Sequence, residues 1–278
     1  MKSDMIAVIG AQGKTGTRVM ARLKAKGMST RGLSRHSEVV FDWANPSTWA
    51  PALSGVKAIY VTYYPDLAVP QATEDMTTFV EVAKQVGIEH LVLLSGRGEE
   101  GAQRAEQVVM KSGLKWNVVR ASWFMQNFRE SFMAQGIASG DLILPKPNAM
   151  EPFIDVEDIA DVVVAALTQA HLQDQLLEVT GPELLSFATC VEKISKITGR
   201  TIGFTPVPVE AYLAGAKQQG LPDEMAWLIK ELFVNVLDGR NESTTDTVRQ
   251  VLGRPARNFD QYLAAQQDTS IWWEQGEP

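Results

Sequence analysis

Cysteine is all but missing: Cys190 is the one thiol in 278 residues, and a lone thiol makes neither an internal disulfide nor a Cys-rich zinc site. Its apolar setting in an expected helix marks it as inert packing. Histidine is scarce too. His36, His90 and His171 fall in unrelated segments, so no metal is expected. Long apolar runs are lacking, since stretches such as 162–167 fall far short of the roughly 18 residues that span a bilayer. An apolar strand begins by Met5, which leaves no room for a cleaved leader, and the cytoplasm is the expected compartment. Long basic blocks are absent, and 26 Lys plus Arg against 33 Asp plus Glu give a net charge of −7. Without a cationic stripe to release phosphate counterions, nucleic acid is not an expected partner; a membrane is not either. What remains is an ordinary globular composition, 45% hydrophobic, with length for one large domain or a large one with a small companion.

From the N-terminus, residues 5–9 form a short apolar run ending at Gly10. A glycine-punctuated loop follows, then a helical pattern through Val19, Met20 and Leu23 to Gly27. Segments 29–33, 39–41, 58–62, 90–94 and 117–119 read as further strands, with helices at 73–86 and 103–112. Runs of Ile, Val and Leu without polar alternation suit strands buried on both faces. The expected fold class is therefore α/β, a Rossmann-type doubly wound parallel sheet. After Trp123 the rhythm changes. Residues 127–135 and 156–168 look helical and 176–179 looks like a strand; Ser186 can N-cap a helix to Thr198 that Gly199 closes, and 201–207 reads as another strand. Pro145, Pro147 and Pro152 mark irregular connections, but no Gly/Ser-rich linker, repeat or low-complexity tract appears. The expected division is a sheet domain over 1–125 and a mixed region over 126–278, which includes a smaller helix-rich lobe and returns some elements to the core. Glu157, Asp158 and Asp161 form an acidic helix start favoured by the helix dipole. The terminal Ile271, Trp272 and Trp273 are expected to dock onto the body.

Gly10, Gly13 and Gly16 stand in G-A-Q-G-K-T-G, directly after the first strand and at the start of its helix. In that context glycines permit a tight turn, close approach to a pyrophosphate and close helix packing. The loop, with Gln12, Lys14 and Thr15, reads as a dinucleotide cradle; the alternative is a merely structural turn. Lys14–Thr15 lacks the spacing of a P-loop. A site for an unphosphorylated ribose places an acid about 20 residues beyond the turn. The segment 30–36 holds no acid and two arginines, Arg31 and Arg35, which suits a 2′-phosphate. NADP is the expected cofactor, with NADPH favoured over NADH. Arg35 is the expected phosphate ligand and Ser34 its helper, the alternative being a solvated arginine at a strand end. Asp42 either faces the adenine side or ends the third strand.

Loops after the carboxyl ends of parallel strands line a cofactor crevice. Thr62, Tyr63 and Tyr64, then Ser95, Gly96 and Arg97, then 121–125 are therefore expected around the nicotinamide. Ser95 and Tyr64 are the catalytic candidates, and Arg97 is a candidate holder of an anionic group. Trp123, Phe124, Met125 and Phe128, with Tyr63 and Tyr64, can build an apolar pocket for a flat, hydrophobic small molecule; Phe124 and Phe128, four apart, can equally pack a helix start. Tyr212 is a weaker candidate, because no motif fixes its direction. Oligomeric state is left open.

Several segments together carry a resemblance: the glycine loop, F-D-W-A-N-P-S-T-W (41–49), L-L-S-G (93–96), R-A-S-W-F-M-Q-N-F (120–128) and G-P-E-L-L (181–185). The chain resembles the NmrA-like group of atypical short-chain dehydrogenases, and within it the ergot-alkaloid festuclavine and agroclavine dehydrogenases. The resemblance covers most of the chain and implies an NAD(P)-binding Rossmann domain with substrate held between it and a smaller lobe. It leaves the activity open, because the group also contains quinone reductases, dye reductases and redox sensors. Standard short-chain dehydrogenases pair a Ser with Tyr-x-x-x-Lys on the next helix; Ser95 takes the place of that Ser, but 96–119 contains no Tyr, and its only lysines are Lys111 and Lys115. Hydride addition to a cationic carbon–nitrogen double bond, or to a quinone, does without that relay. The expected function is an NAD(P)H-dependent reductase of a hydrophobic conjugated molecule. The alternative is a regulator that senses NADP(H) without turnover.

Overall fold

Strand and helix alternate through the first part of the chain in the computed structural model, which describes residues 4–145, 149–266 and 270–273. Pro147 lies outside the described residues. The elements in order are β1 (Met5–Ile9), α1 (Lys14–Ala25), β2 (Thr30–Leu33), α2 (Trp49–Leu53), β3 (Val56–Val61), α3 (Ala72–Gln85), β4 (His90–Gly96), α4 (Glu100–Met110) and β5 (Lys115–Ala121). There follow α5 (Asn127–Glu130), α6 (Phe132–Ala138), β6 (Asp141–Pro145), β7 (Met150–Glu151), α7 (Val156–Thr168), β8 (Gln175–Val179), β9 (Leu185–Ser186) and α8 (Phe187–Thr198). The last are β10 (Gly203–Val207), α9 (Val209–Gln218), α10 (Asp223–Lys230), a π-helical turn (Glu231–Val236), α11 (Thr247–Leu252) and α12 (Phe259–Ala264).

These elements form two units. The first takes the chain as far as Ala121, together with Val156–Val179 and Thr247–Arg254. Its sheet is parallel throughout, in the order β2-β1-β3-β4-β5-β8. Alternate residues explain why the strands are apolar on both faces. Ala7, Ile9, Ile59 and Leu91 join one core with Phe79 and Val109 of α3 and α4, whereas Tyr60, between Ile59 and Val61, faces α1 and donates its hydroxyl to Thr15 Oγ1 at 2.9 Å. The expected strand at 39–41 is not one. Only a single bridge joins Ser34 to Val40, because Phe41 is spent on an aromatic cluster with Trp43, Trp49 and Phe79.

The second unit takes Ser122–Asp155, Thr180–Asp246 and the chain from Pro255. Parallel β6 and β10 form one small ribbon and antiparallel β7 and β9 another. Its core is aromatic, with Phe128, Phe153, Phe187 and Phe259 in edge and tilted contacts. Ser186 caps α8 by accepting from Thr189 N–H, and Gly199 closes it at φ +67°. Residues 127–135 are not one helix. Ser131 breaks it, accepting from Met133 N–H to start α6 while donating to the Asn127 carbonyl at 2.6 Å. Trp272 is fully buried and donates its indole N–H to the Phe128 carbonyl at 2.8 Å, so it docks as expected, whereas Ile271 and Trp273 are exposed. No described helix is long and apolar enough to cross a membrane.

In the first unit α7 is tied to α1 by charge. Glu157 accepts from Arg18 at 2.6 Å and from Arg22 at 2.5 Å, and Asp161 accepts from Arg22 at 2.5 Å. Arg254 adds Asp158 and Asp161 to the network. Half-burial works against the charge on Glu157 and Asp161, but the facing guanidiniums outweigh it and hold both carboxyls below their usual range. A depressed carboxyl stabilises the fold above its unfolded pKa, and that contribution vanishes as pH falls through the folded value. Arg22→Ala is therefore expected to cost about 1–2 kcal/mol near neutral pH. In urea melts the gap from the parent should narrow as pH drops below about 4; a gap unchanged down to pH 3 would contradict the pairing.

Candidate cofactor and active site

The turn after β1 is built by close approach. Gly10 adopts φ +70°, and a Cβ there would stand 2.3 Å from Thr62 Oγ1; one on Gly16 would stand 2.1 Å from the Gly10 carbonyl oxygen. Only glycine fits either place. Gly13 N–H donates to the Gly10 carbonyl at 2.8 Å, and Thr62 Oγ1 donates to the Ile9 carbonyl at 3.1 Å. Burial pushes the Tyr60 phenol pKa up, so its hydroxyl stays a neutral donor that pins Thr15 beneath the loop. Gly13 itself is exposed and extended, and no side chain caps α1 and no acid lies in its first turn. An uncapped helix start beside a glycine turn attracts a pyrophosphate. β1 is also where the winding reverses, since β2 lies on one side and β3 on the other. The residues present therefore fit a dinucleotide.

The end of β2 separates the two arginines. Arg31 donates to the carbonyls of Ala52 and Ser54, both at 2.8 Å, so it closes α2. Arg35 is exposed, with its guanidinium 5.1 Å from the centre of the Tyr64 ring. Tyr64 is 65% exposed. Ser34 Oγ accepts from His36 N–H, and Asp42 accepts from Ala44 N–H, so both shape turns. Gln12 is exposed and Lys14 half-buried in the loop.

Ends of β4 and β5 hold a buried charge network in place of a free serine. Ser95 is 4% exposed and donates its hydroxyl to Glu106 Oε1 at 2.6 Å. Glu106, fully buried, also binds Arg120 through Nε at 2.9 Å and through Nη2. Arg120 and Arg97 both reach Glu178, the latter at 2.9 Å. The Ser95 hydroxyl proton is thus directed at a buried carboxylate, and Arg97 Nε is paired with Glu178. Tyr63 is likewise engaged, donating to Asp75 at 2.5 Å with its ring against Trp43.

Gly96 has the Glu99 carboxyl packed onto it: a Cβ would stand 2.0 Å from Glu99 Oε1. Glu99 in turn is hydrogen-bonded to Asp66, and burial pushes the Asp66 carboxyl up from its usual value.

In the second unit Trp123 is half-buried, its ring edge-on to Phe187 at 5.5 Å and to Phe233 of the π-helical turn at 5.3 Å. Phe124 pairs with Ile154 in a single bridge. Met125 and Phe128 are fully buried in that unit's core, which corrects their assignment to a substrate pocket: neither has surface left to offer. Tyr212 packs against the same core. Burial raises the Cys190 thiol pKa well above its usual value, consistent with inert packing. Among the described residues no His, Cys, Asp or Glu cluster could hold a metal.

The model of the NmrA-like family matches residues 2–263. The chain belongs to the NmrA-like family. Relatives of this NmrA-like protein include an NAD(P)H azoreductase from Xenophilus azovorans, 29% identical over 94% of this chain and 97% of that one. Another is the agroclavine dehydrogenase of Claviceps fusiformis, 26% identical over 96% and 98%. Among solved structures, an NADPH-dependent quinone oxidoreductase of Escherichia coli in complex with NADPH superposes with a TM-score of 0.75, covering 94% of this chain and 99% of that one at 17% identity, which shows a shared fold.

Sequence reasoning missed Glu106, Asp66 and Glu99. A signal existed for Glu106, an acid within the buried stripe of α4 that also holds Ala102, Ala105 and Val109. For Asp66 and Glu99 the signal was weaker, two acids in loops that follow neighbouring strands. The exposed Gly13 gives the direct test of the cradle. A Cβ there would meet only the Gly10 carbonyl at 3.2 Å, so Gly13→Val should keep its melting temperature while losing nucleotide binding by calorimetric titration. A folded variant that binds NADPH as the parent does would show that this loop is not the cradle.

Proposed function

We propose that this NmrA-like protein is an NAD(P)H-dependent oxidoreductase that reduces hydrophobic, conjugated small molecules and favours NADPH. The observation that carries the reading is an open glycine cradle on a strand end in a chain whose expected serine is tied to Glu106 and whose α4 region lacks Tyr-x-x-x-Lys. When bound, the nicotinamide supplies hydride, and hence both electrons. The chain binds the pyrophosphate at residues 10–16 and orients the nicotinamide toward the ends of β3 to β5; the exposed Arg35 beside Tyr64 takes the 2′-phosphate. A preformed electrophile such as a cyclic iminium ion needs position more than proton transfer. The names of two relatives, an azoreductase and an agroclavine dehydrogenase, support acceptors of this conjugated kind.

Two measurements test this. Calorimetric titration should show NADPH binding more tightly than NADH, and Arg35→Ala should weaken mainly NADPH, by about 1.5–3 kcal/mol; equal affinities in the parent would sink the preference. NADPH oxidation should proceed with cyclic iminium ions, quinones or azo dyes. Ser95→Ala should cost less than the roughly 100-fold that removal of an essential acid or base costs. Nucleotide binding with no turnover of any acceptor would favour a sensor.

A further inference from the structure

Two carboxyl groups in one hydrogen bond require a proton between them, because two carboxylates have only acceptors to offer. Asp66 and Glu99 are such a pair. Asp66 lies in the loop after β3 and Glu99 in the turn after β4, so neighbouring parallel strands bring them to the same edge of the sheet. Local geometry holds them there. Asp66 Oδ1 accepts from Ala68 N–H at 2.8 Å, and a Cβ on Gly101 would stand 2.1 Å from the Ala68 carbonyl oxygen, so the start of α4 sits directly on the Asp66 turn. Glu99 is 8% exposed, and its carboxyl lies flat on the Gly96 backbone at the end of β4. That strand end is two strands along from the glycine cradle of β1, about 10 Å at the usual strand spacing. No cation contributes to the environment of Asp66; desolvation dominates and favours the neutral form.

We infer that the Asp66–Glu99 pair stores one shared proton and gives it to acceptors that become anionic on reduction, taking the role that Tyr-x-x-x-Lys has in standard short-chain dehydrogenases. This rests on the reductase reading above and adds a proton donor to it. After hydride has reached one nitrogen of an azo acceptor, the other nitrogen carries the negative charge. The carboxyl O–H bond then breaks and an N–H bond forms on that nitrogen. The pair, left with both carboxylates charged, regains its proton from water. A cationic iminium acceptor becomes neutral on hydride addition and draws no proton from the pair.

Acceptors that differ in proton demand separate this role from a structural one. Glu99→Gln and, independently, Asp66→Asn should lower kcat for an azo dye by about 100-fold, while kcat for a cyclic iminium ion and NADPH affinity stay within about twofold. The nucleotide-free protein supplies a readout apart from turnover: infrared spectra at neutral pH should show the carbonyl stretch of a protonated carboxyl that shifts in heavy water and is missing from both variants. Equal losses with both acceptors, no loss with either, or no protonated carboxyl in the parent would overturn the inference. A parent that binds NADPH and shows the carboxyl band but reduces neither acceptor overturns the reductase reading, and proton delivery with it.

Discussion

The approach of Gly16 to the Gly10 carbonyl, with Thr62 closing from β3, is the constraint on which the first unit turns. It brings the start of α1 against the end of β1 with no side chain between them. The consequences run in two directions. Outward, the helix start is left uncapped and able to receive an anion. Inward, Thr15 must sit over the sheet, where a buried hydroxyl needs a partner, and Tyr60 supplies it from β3. The charged contacts of Arg18 and Arg22 with α7 then hold the far face of the same helix. A single tight turn thus fixes the cradle, and the rest of the unit keeps α1 in place behind it.

Charge is handled differently at the ends of β4 and β5. Glu106 is fully buried, and it is matched by Arg120 and by the Ser95 hydroxyl, so each of its oxygens has a donor. The Ser95 hydroxyl is held in this arrangement as one of the donors to Glu106. Asp66 is hydrogen-bonded to Glu99, and burial favours the neutral form of its carboxyl.

Much of the fold was legible because its signals are local. The helix at 156–168 and the caps at Ser186 and Gly199 rest on periodicity and on side chains within a few residues. Where distant partners decide, local pattern misled. Phe41 looks like a strand residue because it is apolar, yet its partners are Trp49 and Phe79. β6 escaped notice because it pairs with β10, far along the chain. At the site the glycine loop was readable from spacing, whereas the fates of Arg31, Ser95 and Arg97 depend on Ala52, Glu106 and Glu178, which no motif connects to them. Met125 and Phe128 share one aromatic-rich segment with Trp123, and sequence gives no means of telling the buried members from the half-buried one.

The most direct measurement of the central claim is a crystal structure of the protein grown with NADPH. The account predicts the pyrophosphate against the backbone of residues 10–16, the 2′-phosphate at Arg35 and the nicotinamide at the ends of β4 and β5. A nucleotide bound elsewhere, or a 2′-phosphate turned away from Arg35 into solvent, would contradict it.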